Sequence, residues 1–87
     1  MNDAGLTTLG QRIKAARQLA GMRQEDLAYA VGASRSAVNE WEHERSEPNA
    51  TRMFAIAQTT NQPLGWFAEG LIQVRAPRDS NPQPSDP

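Results

Sequence analysis

The fragment AVGASRS, residues 30–36, places a glycine where two helical patterns meet, and it constrains the fold more than any other stretch. Before it, Leu27, Ala28 and Val31 recur at helical spacing; after it, Val38 and Trp41 do the same. An unbroken helix gains nothing from a glycine there, which costs about 1 kcal/mol relative to alanine. Two short helices crossing steeply require it. Such a crossing needs a small residue where the backbones approach, and Ala28 supplies it. It needs a residue that turns left-handed without a Cβ penalty, which is Gly32. It needs apolar anchors on the inner faces, the places held by Leu27, Val31, Ala33, Val38 and Trp41. The pattern is that of a helix-turn-helix, with an ordinary glycine-capped α-hairpin as the plainer alternative.

The rest of the chain is helical in period, and no four-residue stretch alternates as a strand would. Thr8-Leu9-Gly10-Gln11 has the form of a capping box, followed by Leu9, Ile13, Ala16 and Ala20 on one face and closed by Gly21. A second helix is expected from about Gln24 to Val31, with Glu25 and Asp26 against its N-terminal dipole. Ser34 caps a third. Asn49 caps a fourth, with Met53, Ile56 and Ala57 inward. Pro63 opens a fifth holding Leu64, Trp66 and Phe67, with Gly70 as its expected stop. The fold class is therefore all-α, a compact five-helix domain over residues 6–72. Residues 1–5 are expected to be flexible. Residues 73–87, rich in proline and poor in apolar side chains, are expected to form a disordered tail.

Composition excludes more than it assigns. At 87 residues there is room for one small domain and no separate effector-binding domain, so no small-molecule effector is expected. Absence of cysteine removes disulfides and thiolate metal sites, and a single histidine, His43, cannot form a histidine metal cluster or a two-member proton relay. No cofactor, metal or catalytic residue is assigned, and no phosphate loop or nucleophile motif marks an enzyme. No apolar run approaches the ~18 residues of a membrane span, and the N-terminus lacks a signal pattern, so a soluble, cytoplasmic protein is expected. Net charge is −1, but bases and acids are segregated. Arg12, Lys14, Arg17 and Arg23 stand in a stretch without acids, whereas Glu40, Glu42, Glu44 and Glu47 crowd against Arg45.

With these elements placed, LGQRIKAARQLAGMRQEDLAYAVGASRSAVNEWE and PNATRMFAIAQTTNQPLGWFAEG resemble the lambda-repressor-like helix-turn-helix family, the Cro/cI or XRE type of transcriptional regulators. The resemblance covers about residues 6–70. It implies that the third helix enters the DNA major groove with its first residues at base edges. On this chain those positions are Ser34, Arg35 and Ser36, with Glu40 one turn further on. An arginine can pair bidentately with guanine O6 and N7; serine hydroxyls can touch phosphate or base; a glutamate can accept from cytosine N4. Gln24 matches a family glutamine that, with the helix N-terminus, grips a backbone phosphate. Arg17 and Glu42 match a pair joining the first helix to the end of the recognition helix, with the outer edge of Arg17 toward phosphate. Arg12, Lys14 and Arg23 are candidate phosphate contacts or ordinary surface cations.

The chain departs from the family pattern at four places. Arg23 replaces the usual serine or threonine cap, Glu44 a usual glycine, and Thr60 a common leucine. Acidity from Glu40 to Glu47 stands where bases often help hold DNA. The expected function is a sequence-specific DNA-binding regulator, a repressor, binding a palindromic double-stranded operator as a homodimer. The fourth and fifth helices would form the dimer surface, with Trp66 and Phe67 either exposed on it or filling the core. The alternative is a protein-interaction module, an antitoxin or adaptor, that keeps the fold with weak or no DNA binding.

Overall fold

A computed structural model describes residues 8–75, and the expectations for residues 1–5 and for the chain beyond 75 lie outside them. Within them the chain forms α1 (Leu9–Leu19), α2 (Gln24–Val31), α3 (Arg35–Glu42), α4 (Ala50–Thr60) and α5 (Leu64–Arg75). The starts of the first four helices have a local cause. Thr8 Oγ1 accepts from the Gln11 N–H while the Gln11 side chain accepts from the Thr8 N–H, which closes the capping box of α1. Ser34 and Asn49 cap α3 and α4 by accepting from Ala37 and Arg52 N–H groups. At α2 the Arg23 side chain accepts nothing, but the Asp26 carboxylate takes the Arg23 N–H at 2.8 Å, so half of a capping box survives.

Gly32 ends α2 at φ 74°, ψ 32°, and the Ala33 N–H donates back to the Ala28 carbonyl at 2.9 Å. That left-handed turn separates α2 from α3 and lets them pack on each other. α1 crosses α3, α4 and α5, while α2 also packs on α4. Each helix contributes one large, fully buried side chain to the centre: Ile13, Leu27, Val38, Ile56 and Phe67. Leu9, Ala16, Ala28, Val31, Trp41, Met53 and Ala57 complete the core. An assembly of short helices depends on this shared apolar centre, since helices of such length are marginal alone.

Two expectations are corrected. Ala20 is the exposed C-cap of α1 rather than a core residue. Gly70 does not stop α5, which runs to Arg75 and takes in residues 73–75 that were expected to belong to the disordered tail; a helical glycine costs only about 1 kcal/mol, and the following Leu, Gln and Arg favour helix. Thr60, at the place of a common leucine, is buried, with its hydroxyl donating to the Ile56 carbonyl at 2.7 Å. No helix among the described residues is long and apolar enough to cross a membrane.

Candidate nucleic-acid interface

Two ends of α3 are built differently. At its start Ser34, Arg35 and Ser36 are all exposed, and Glu40, one turn after Ser36, lies on the exposed side too. Val38 and Trp41 point the other way, into the core. The Ser34 oxygen is used as a cap, which leaves its hydroxyl proton free to donate outward. Arg35 has 68% of its side chain exposed and comes within 3.9 Å of the Glu25 carboxylate on α2.

At the other end Glu42 is buried and held from two elements. Arg17 of α1 donates Nε to Oε2 at 2.6 Å and Nη2 to Oε1 at 3.1 Å. The third guanidinium nitrogen of Arg17, Nη1, donates to the Met22 carbonyl at 2.8 Å, which fixes the α1–α2 turn. Gln24 of α2 donates Nε2 to Glu42 Oε1 and to Asn39 Oδ1, both at 3.1 Å. One carboxylate thus ties three helices together. The backbone closes in as well: a Cβ on Gly10 would lie 2.5 Å from the Trp41 carbonyl and 2.9 Å from the Glu42 carbonyl. Only a glycine lets α1 approach the last turn of α3 this closely.

Glu44 then takes φ 63°, a left-handed residue without glycine's freedom. The turn keeps the conformation that a glycine adopts readily, and the Thr8 hydroxyl donates to the Glu44 carboxylate across it.

The expected phosphate contacts divide. Arg12 is 2% exposed, its Nη1 donating to the Trp66 carbonyl at 3.0 Å and reaching Glu69 at 3.5 Å, with the guanidinium 5.2 Å from the Trp66 ring centre. It fastens α5 to α1 and is removed from the candidate contacts, because burial closes it to a phosphate. Arg17 is likewise buried with every nitrogen engaged, so its place is in the clamp rather than on the surface. The Gln24 amide points into the same clamp. Arg23 is exposed but gripped by Asp26, whose carboxyl is held below its ordinary range, first by the side-chain hydrogen bond to Arg23 and then by the bond to the Arg23 N–H. Lys14 is exposed on α1.

Sequence reasoning missed Gly10 as a packing residue, Asn39 as a partner of Gln24, and Arg52, whose Nη2 donates to the Gly32 carbonyl at 2.8 Å. A glycine in the first turn of a helix was the one available signal. Trp66 and Phe67 stack edge to face at 5.1 Å, with Phe67 fully buried and Trp66 half-buried, so they fill the core rather than offer a surface.

A helix-turn-helix family model matches residues 13–67, from within α1 to the first turn of α5. The chain belongs to the lambda-repressor-like helix-turn-helix family. Its relatives in that family include repressor protein C2 of Salmonella phage P22, 30% identical over 77 residues, which are 87% of this chain and 36% of that protein. The transcriptional regulator DicA of Escherichia coli K12 is 30% identical over 80 residues, 92% of this chain and 53% of its own. The chain therefore spans about a third to a half of the length of these relatives. Among solved structures, the P22 c2 repressor bound to a synthetic operator superimposes with a TM-score of 0.69 at 30% identity, covering 72% of this chain and 96% of that one. The DNA-binding domain of the same repressor in solution gives 0.70 at 30% identity, covering 80% and 88%.

Proposed function

We propose that this chain is a sequence-specific DNA-binding transcriptional repressor that reads the major groove with the first turn of α3. The observation that carries the reading is the exposed Ser34–Arg35–Ser36 turn on a helix whose other end is clamped by Arg17 and Gln24. A probe must project, and it must not wobble. Arg35 is the base-reading residue, with Ser34, Ser36 and Glu40 beside it; Lys14, Arg23 and the first N–H groups of α2 at Gln24 face the phosphates. The likeness to a repressor bound to its operator supports the partner, double-stranded DNA.

In this reading two copies bind a palindrome, with half-sites about one helical turn (~34 Å) apart. The pairing surface is the α4–α5 edge, where Phe54 is 59% exposed and Leu64 36%. They border an apolar groove with Pro48, Ala50, Met53 and Ala68. The working compartment is the cytoplasm, where the DNA is, and binding rather than catalysis is the activity.

One observation favours the adaptor alternative: with Arg12 and Arg17 buried, the acids Glu40, Glu44 and Glu47 meet fewer exposed bases. Selection from a random duplex pool at two salt concentrations separates the readings. A repressor enriches a palindrome, binds it with a log–log salt slope of several units, and loses about 10- to 100-fold in specific affinity on Arg35→Ala. An adaptor enriches nothing.

A further inference from the structure

We infer that Glu25 sets the direction of Arg35 and is thereby a positioning residue for base readout, an inference that rests on the operator-binding reading above. Four side chains form a ladder across the starts of α2 and α3. Asp26 grips Arg23 as a fork, Oδ2 to Nε at 3.1 Å and Oδ1 to Nη2 at 3.3 Å. The remaining nitrogen, Arg23 Nη1, stands 3.4 Å from Glu25 Oε2. The other oxygen, Glu25 Oε1, stands 3.9 Å from Arg35 Nε. One carboxylate in the first turn of α2 thus faces an arginine at the cap of its own helix and another that opens α3.

The atom it faces matters. The closest approach is at Nε of Arg35 and not at the two Nη groups of the tip, and it is these that can form the fork that fits guanine O6 and N7. A long side chain with 68% exposure otherwise sweeps many rotamers and meets phosphates as readily as bases. The ladder contains two arginines and two carboxylates, so it adds no net charge and no general attraction to DNA. What it contributes is direction.

This separates Glu25 from an ordinary surface acid by sign. Removing its charge relieves repulsion from phosphates and strengthens binding to any duplex, while loss of the held fork weakens discrimination. The test uses the full chain, the duplex enriched from a random pool by the wild-type protein, and an unrelated duplex of equal length. Glu25→Gln is expected to tighten the unrelated complex by roughly threefold through the relieved repulsion. The ratio of specific to unrelated affinity falls about tenfold, as a misdirected bidentate contact predicts. In an Arg35→Ala background the same change leaves the ratio where it was, because the two residues act through one contact. Thermal melting falls by no more than a few degrees, the loss of one exposed acid at the start of α2. A ratio held within twofold, or one that falls equally without Arg35, overturns the inference while leaving operator binding intact. If the wild-type chain enriches no duplex, the operator-binding reading fails and the inference falls with it.

Discussion

The first and last turns of α3 belong to one eight-residue helix and have opposite surroundings. Ser34, Arg35 and Ser36 touch little of the protein, and one carboxylate stands beside Arg35 at 3.9 Å. Trp41 and Glu42 are buried, and Glu42 accepts three hydrogen bonds from α1 and α2. The contrast teaches how a short helix serves as a probe: rigidity is concentrated at the end that reads nothing. A helix this short lacks stability of its own, so its orientation is whatever the anchored end imposes.

The sharpest way to break the contrast is to remove the anchor. Glu42→Ala leaves the Arg17 guanidinium buried without its carboxylate, and a loss of about 3–5 kcal/mol is expected in urea-induced unfolding. Arg35→Ala, at the other end, is expected to leave the unfolding midpoint unchanged. Next in size, Gly10→Ala drives a methyl group to within 2.5 Å of the Trp41 carbonyl, which as backbone cannot step aside. Overpacking of this kind costs about 1–3 kcal/mol, partly offset by alanine's helix propensity. Operator affinity should fall alongside stability, because α3 is pushed off its seat; unchanged melting and binding would show that the close approach is unimportant.

Smaller effects sharpen the picture. Glu44→Gly relieves a left-handed residue and is expected to stabilise the domain by up to about 1 kcal/mol, less the lost contact with Thr8. A lower melting temperature would mean that the Thr8–Glu44 bond outweighs the strain. Smallest of all is the pH response of the α2 cap. The Asp26 carboxyl is held below its usual range by Arg23, so its contribution is complete above the unfolded value of about 3.9 and is lost as pH falls through the lower folded value. Melting temperature against pH from 6 to 2 should therefore flatten slightly in Asp26→Asn, and a curve identical to wild type would remove the carboxylate from the cap.

Much of this architecture was legible in the linear order of residues. The limits of α2, the caps at Thr8, Ser34 and Asn49 and the turn at Gly32 depend on neighbours within a few positions. Periodicity likewise identified the inward residues Ile13, Leu27, Val38 and Ile56, while Phe67 was left open between core and surface. The arginines divided: the Arg17–Glu42 pair and an exposed Arg35 were expected, but the burial of Arg12 and the grip of Asp26 on Arg23 were not. Arg12, Arg17, Arg23 and Arg35 look alike in a sequence, yet one is buried under Trp66, one locked to Glu42, one gripped by Asp26 and one projecting.

What the sequence determined by itself is where helices begin, turn and show an apolar stripe, since those are properties of short-range sterics and hydrogen bonding. The fate of each charged side chain was decided only when the helices packed. An arginine is spent or free according to which carboxylates and carbonyls arrive from distant segments, and whether water is excluded there. No local pattern carries that information. It comes into being with the three-dimensional arrangement of the helices.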